Sequence, residues 1–228
     1  MIAEQFFDEW STYEKVVAND YMHHKDFFAA LANHIATDFD RPLSVIDLGC
    51  GDARPAALLL QRFIIEKYVG IDQSIAAIDR ARQLLSSLAI PFELHSASML
   101  DSLQRLDGQF DLVLASFSLH HLDPDEKQAA LKQCRRLLKP GALLAIVDVF
   151  LEKGESRENY ISRWETNARS AFGALTPDEA DEIVEHMRIC DMPESVASYR
   201  RFAETAGFSS TKSVRQDTER LNRLVVIS

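Results

Sequence analysis

The sequence predicts an α/β protein: a three-layer sandwich whose seven-stranded, mostly parallel sheet lies between helices and carries an antiparallel last strand. Three observations lead there. From Leu43 to Phe150, short apolar, β-branched runs alternate with segments of helical period. The connections between those runs span ten residues or more, too long for hairpins and long enough for crossover helices. Near the C-terminus two β-rich runs, 208–214 and 221–227, follow one another closely enough to pair as an antiparallel edge.

Bulk composition agrees. The 228 residues, 46% hydrophobic and 26% charged, suffice for one such domain plus a modest cap. Seven prolines and eight glycines leave no room for a long low-complexity linker. The formal net charge is −10 and no run of Lys or Arg exceeds two, which disfavours a phosphate backbone as partner. Three cysteines, far apart and without CxxC spacing, argue against a disulfide framework or a structural zinc site. The N-terminal segment is acidic where a signal peptide needs a basic region, and the longest apolar stretch, 142–151, is broken by Asp148. A cytoplasmic protein without a membrane partner is expected.

Each element has its own justification. Residues 1–40 are read as an N-terminal helical cap, with Phe6, Trp10, Tyr13 and Val17 on one stripe and Phe27, Phe28, Leu31 and Ile35 on another. Residues 38–42 break the pattern, and the main domain, 41–228, begins. Residues 43–48 suit a buried parallel strand running into Gly-Cys-Gly. Residues 68–71 form the second strand, and Ser74 caps a helix carrying Ile75, Ile78, Arg82 and Leu85. Residues 92–95 and 110–115 are the third and fourth strands. Asp123, Pro124 and Glu126 make a capping box for a helix that turns Leu131, Cys134 and Leu138 inward and stops at Lys139-Pro140-Gly141. The fifth strand covers 143–150. Residues 152–193 show no strand pattern and read as a helical insertion, with a second capping box at Thr176-Pro177-Asp178-Glu179 and Tyr160, Trp164, Phe172 and Met187 as wall or core. A helix at 195–206 ends at Gly207.

The chemistry concentrates in Val45-Ile46-Asp47-Leu48-Gly49-Cys50-Gly51-Asp52-Ala53. A strand entering a glycine-rich turn lets backbone approach a ligand closely. Asp47 stands just before that turn, where a carboxylate can orient the loop and face a cationic amine. Asp72, in Val69-Gly70-Ile71-Asp72, lies 25 residues after Asp47 at the tip of the next strand, placed to accept both hydroxyls of a ribose.

These residues resemble motif I and the acidic post-I position of class I, Rossmann-like S-adenosylmethionine-dependent methyltransferases. Phe110 to Leu122 looks like that family's fourth strand and following turn, and Arg136 to Leu144 like the entry to its fifth strand. The resemblance spans about residues 43–150. It implies strand order 3-2-1-4-5-7-6, S-adenosyl-L-methionine as cofactor with S-adenosyl-L-homocysteine as product, and methyl transfer to a small-molecule acceptor. It also implies cofactor contacts from Asp47, Gly49, Cys50, Gly51, Asp72, Gln73, Ser98, Met99 and Ser116, with Tyr21 covering the methionine end; the amides of 49–51 and Asp72 are expected to grip the adenosine together. Ala53 replaces the third glycine of the motif, and Ser98 stands where many relatives carry an acid.

A neutral oxygen or nitrogen acceptor must lose a proton, for which a histidine suits near-neutral pH. His120-His121 and His23-His24 compete, and His121 or His24 is expected to border the acceptor pocket. No metal is expected: the Asp-Asn pair of the metal-using relatives is missing, and the His doublets lack i, i+4 spacing. The Asn/Asp-Pro-Pro-aromatic turn of nucleic-acid amino-methyltransferases is replaced by Ser116-Phe117-Ser118-Leu119. A monomer or homodimer without nucleic acid is expected; a non-catalytic cofactor-binding scaffold subunit is the alternative.

Overall fold

The computed structural model describes residues 10–36 and 41–228. Phe6 and the start of the 38–42 breaker lie outside the described residues, as do the side chains of Trp10 and Tyr13.

In chain order the elements are α1 (Trp10–Ala18), α2 (His24–Ile35), β1 (Leu43–Leu48), α3 (Arg54–Leu60), β2 (Ile65–Asp72), α4 (Ile75–Ser87), β3 (Phe92–Ser96), α5 (Met99–Arg105) and β4 (Phe110–Ser116). A 3-10 turn (Leu119–His121) leads into α6 (Pro124–Leu137), β5 (Leu138–Leu151), α7 (Arg157–Ala171), α8 (Pro177–Cys190), β6 (Glu194–Ser195), α9 (Val196–Ala206), β7 (Thr211–Gln216) and β8 (Asn222–Ile227). The sheet runs β3-β2-β1-β4-β5-β8-β7, with β6 pairing the end of β5. This is the expected order, its last labels shifted by the two-residue β6. Strands β3 to β5 pair in parallel, and β8 runs antiparallel to both neighbours.

Alternation along the strands divides the core into two faces. Leu43 and Val45 of β1 point, with Leu112 and Leu114 of β4, to a cluster containing Phe27, Phe28, Leu31 and Ile35 of α2 and Ile78 and Leu85 of α4. Ile46 and Leu48 point, with Val113 and Ala115, to Leu131, Cys134 and Leu137 of α6 and Tyr199 of α9. Helix α2 therefore packs directly on the sheet, while Val16 of α1 joins Tyr160, Ile161, Ile183, Val184 and Met187 in a third cluster with the insertion helices.

Both capping boxes form. Asp123 accepts from the Glu126 amide at 2.8 Å, and Thr176 accepts from the Glu179 amide at 3.3 Å. Ser74 caps α4 by accepting from the Ala77 amide at 3.2 Å, but Ile75 is 69% exposed, and the buried stripe is Ala77, Ile78, Ala81 and Leu85. The insertion holds two helices, α7 and α8. Among the described residues no helix is long and apolar enough to cross a membrane.

Candidate active site

Parallel register places the strand tips side by side. Leu48 is paired with Ile71 and with Ala115, so Asp47, Asp72 and Ser116 emerge at one edge of the sheet. A cavity of about 930 Å³ opens there.

At its first end the chain turns sharply after β1. Gly49 adopts φ +68°, and a Cβ at that position would meet the Ser118 Cβ at 2.4 Å. Ser118 is pinned in turn, its Oγ donating to the Leu48 carbonyl at 2.7 Å. The turn amides are occupied within the protein: Gly49 N and Cys50 N donate to the Ile71 carbonyl at 2.8 and 3.0 Å, and Gly51 N donates to Asp72 Oδ2 at 2.8 Å. The expectation that residues 49–51 grip a ligand through their amides is thereby corrected. Those donors lock β1 to β2, and the turn's two glycines leave the backbone open to close approach by a ligand.

Asp72 also accepts from the Ser74 amide at 2.9 Å. Burial raises its pKa, against the lowering effect of the Ser74, Gly51 and Gln73 amides. Asp47 is 2% exposed and accepts from the Tyr68 hydroxyl at 2.7 Å. Burial pushes its pKa up to about 7, with the Tyr68 bond opposing and the Asp72 charge adding to the rise. Asp47 Oδ1 and Ser116 Oγ are both buried without a hydrogen-bond partner in the cavity wall. Gln73, Ser98 and Met99 complete this end.

The second end is built from α1, α2, the turn after β4, and the insertion. Phe117, a non-glycine residue at φ +50°, is held by its amide donating to the Val147 carbonyl at 2.7 Å. Such a conformation is costly for a bulky residue and marks a site the surrounding structure imposes. Its ring meets the His24 ring edge-on at 5.0 Å. Burial, with the neighbouring His23 charge, lowers the His24 pKa to about 4.

The His120-His121 pair splits into two roles. His120 Nδ1 lies 2.5 Å from Asp148 Oδ1, while its backbone amide donates to Asp148 Oδ2 at 3.1 Å. Burial disfavours charge on His120, but Asp148 and Asp191 outweigh it and lift the pKa to about 9. His121, beside it, is lowered well below its ordinary value by burial and by the His120 and His186 charges. Burial likewise brings His186 of α8 to about 4, with His120 adding to the effect. The rings of His121 and His186 meet at 5.6 Å. Asp191, just past α8, lies 3.7 Å from His120 Nε2 and 3.6 Å from His121 Nδ1. Burial raises it to about 6, against the His120 charge.

The cavity wall thus brings together Asp47, Gly49, Cys50, Gly51, Asp72, Gln73, Ser98, Met99, Ser116, His24 and His121. Tyr21 is the exception and is corrected. Its ring stacks on Phe172 at 4.2 Å, its hydroxyl accepts from the Ala174 amide at 2.8 Å, and Met22 takes the place beside the cavity. His186 and Asp191 were missed, because the insertion carries no motif to place them. One cluster bears on the expectation of no metal: His120, His121 and Asp191 present ligand atoms within 4.8 Å of one another. Chain spacing could not show this, since Asp191 lies 70 residues beyond His121. Asp148, a lone acid within an apolar strand, was the visible signal for the buried His120 pair.

Comparison with known proteins follows the same outline. The family described as "Methyltransferase domain" matches residues 45–141. An uncharacterised methyltransferase of Synechocystis is 32% identical over 46% of this chain and 46% of its own length. A 2-phytyl-1,4-naphtoquinone methyltransferase of Synechococcus elongatus is 35% identical over 56% of each chain. A carboxy-S-adenosyl-L-methionine synthase of Trichlorobacter lovleyi is 28% identical over 77% of this chain and 72% of its own. The chain spans about half the length of the first curated relatives it matches, from 46% to 51%. In fold it resembles magnesium protoporphyrin IX methyltransferase of Synechocystis, solved with bound S-adenosylhomocysteine, at TM-score 0.67 and 17% identity over 99% and 97% of the two chains. Motif, sheet order and comparisons point the same way: residues 45–141 are similar to a methyltransferase domain, and the fold is similar to that of a Rossmann-like methyltransferase.

Proposed function

We propose that this chain transfers a methyl group from S-adenosylmethionine to an oxygen or nitrogen nucleophile of a small molecule. One observation carries the reading: a single cavity runs from Asp72 and Ser98 at the strand tips to His24 and His121 under the insertion. One end suits the cofactor and the other its acceptor.

The cofactor's fit rests on the two orphaned buried atoms, Asp47 Oδ1 and Ser116 Oγ. An ammonium delivered to Asp47 supplies the partner that the carboxylate lacks and favours its ionised form against burial. Asp72 accepts ribose hydroxyls on lone pairs left over by the Gly51 and Ser74 amides, and Ser98 and Met99 border the base. S-adenosylmethionine supplies a sulfonium-bound methyl group, activated enough for alignment to account for much of the rate. His24 and His121 are uncharged near neutral pH, so each offers an imidazole lone pair to the acceptor's proton. Their low proton affinity suits an acceptor that loses its proton late, once methylation has made it acidic.

Calorimetric titration with S-adenosylhomocysteine tests the cofactor end. Asp72→Ala is expected to weaken binding by more than about tenfold, or about 1.4 kcal/mol. Unchanged affinity in that variant overturns the reading. Release of S-adenosylhomocysteine across a panel of hydroxylated and amino metabolites tests turnover. Binding without release in any member favours a cofactor-binding scaffold subunit instead.

A further inference from the structure

At the acceptor end of the cavity, three side chains converge in a way that methyl transfer does not require. His120 Nε2 and His121 Nδ1 stand 3.7 and 3.6 Å from the same oxygen, Asp191 Oδ1. That oxygen is buried and has no hydrogen-bond partner, and the Asp191 side chain is only 5% exposed. Two imidazoles and one carboxylate sharing a point are the donor set of a divalent transition cation. Ligand atoms at 2.0–2.1 Å around a tetrahedral ion stand about 3.3 Å apart, so the two edges to Asp191 need to shorten by only a few tenths of an ångström, and the edge between the two histidines lies within 4.8 Å.

The supporting shell points the same way. A metal-bound imidazole is commonly held from behind by a carboxylate or a backbone carbonyl. Behind His120, Nδ1 faces Asp148 Oδ1 at 2.5 Å, and Asp148 is itself braced by the amides of His120 and Val149 at 3.1 and 2.8 Å. His121 is hydrogen-bonded to the backbone at Cys190. Asp191 is placed by its own segment: Met192 N donates to the His120 carbonyl at 2.7 Å, and Lys127 Nζ donates to the Met192 carbonyl at 2.8 Å. The chain after α8 is thereby tied to the His-His turn at the point where the carboxylate meets the two rings.

We propose that His120, His121 and Asp191 form a binding site for one divalent first-row transition cation, held by two nitrogens and one oxygen with its open side toward the acceptor cavity. Magnesium and calcium do not suit the set, because both demand mainly oxygen ligands. A cation there has a coordination position for an acceptor oxygen, which it would make more acidic. That role rests on the transferase reading above, with His24 as the proton acceptor because the cation takes the His121 lone pair; the site itself does not.

The test uses the full chain, stripped with a chelator and dialysed. Zn²⁺ is titrated by calorimetry, and Co²⁺ is added in parallel to read visible ligand-field bands. One ion per chain is expected, with neither Mg²⁺ nor Ca²⁺ competing. His121→Gln, on a partly exposed turn, and the near-isosteric Asp191→Asn are expected to abolish the cobalt bands. Asp148→Asn is expected to weaken Zn²⁺ by roughly 10–100-fold through the supporting shell. His23→Gln, which alters the other histidine–carboxylate cluster with Asp217 and Glu219, leaves the bands intact. Circular dichroism of each variant confirms folding, and the Zn²⁺-induced rise in melting temperature gives a second readout. Absence of stoichiometric binding, or binding unaffected by His121→Gln and Asp191→Asn, overturns the proposal. S-adenosylhomocysteine titrated into the same preparation reports the transferase reading separately: nucleoside binding without cobalt bands removes the metal alone, and cobalt bands without nucleoside binding remove the cofactor reading alone.

Discussion

Gly49 and Ser118 occupy one small volume from two distant parts of the chain. A methyl group on Gly49 would collide with the Ser118 Cβ, and the φ of +68° is unfavourable for any other residue. Gly49→Ala is therefore expected to cost about 1–3 kcal/mol, read as a lower midpoint in urea unfolding. Asp111 illustrates a buried charge at the opposite end of the sheet. Burial alone would raise its pKa, but Arg41, the Ser44 amide at 2.9 Å and Lys139 at 2.9 Å more than compensate, and the value is lowered. The stabilisation is complete above the unfolded pKa of about 3.9 and disappears as pH falls through the lowered folded value. Asp111→Asn should thus lose about 2 kcal/mol near pH 7 and progressively less below about pH 4, measured by urea unfolding across pH. Legibility in the sequence follows locality. Asp47, Gly49, Gly51 and Asp72 belong to one strand–turn–helix–strand unit whose spacing specifies its geometry, so they could be read directly. His186 and Asp191 reach the site only through the packing of the insertion, and Tyr21 was misplaced because nothing local shows that Phe172 and Ala174 claim it.

At the scale of elements, a capping box or a long apolar stripe made a helix legible: α2 was read from Phe27, Phe28, Leu31 and Ile35 although it lacks a side-chain cap, and α7 was not located although Ser156 caps it. The helices α4, α6 and α8 begin at Ser74, Asp123 and Thr176, whose side chains accept from the first-turn amides. Helices α3 and α5 are seven residues each and begin at Ala53 and Ser98 without a side-chain cap, so no local signal announces them. The two-residue β6 exists only because Phe150 and Leu151 offer it a partner. Glu179 has two tasks, closing the Thr176 box and pairing with Lys15 of α1 at 2.6 Å. Thr176→Ala is expected to cost about 1 kcal/mol and to increase fraying of α8, visible as faster amide exchange over residues 177–181. Tyr21→Phe removes the acceptor for the Ala174 amide while leaving the Phe172 stack, so proteolysis near Gly173 should quicken with little change in overall melting.

For the molecule as a whole, α1 and the insertion are joined to the sheet by a modest apolar cluster, whereas the two sheet faces share larger ones. The wall of the proposed acceptor end of the cavity is thus the part most able to open. A ligand in the cavity stabilises the folded chain: S-adenosylhomocysteine at a hundredfold its dissociation constant contributes about 2.7 kcal/mol. For a chain of this size that corresponds to a melting temperature raised by roughly 5–10 °C, measurable by scanning calorimetry.

The three amides following β1 are already engaged, two with the Ile71 carbonyl and one with Asp72. The turn proposed as nucleoside cradle is accordingly rigid before any guest arrives, and the entropy of ordering that loop is spent at folding and not at association. Deuterium uptake at Gly49, Cys50 and Gly51 should be slow in the free protein and barely altered by saturation, with slowing concentrated instead in the helical roof across the cleft.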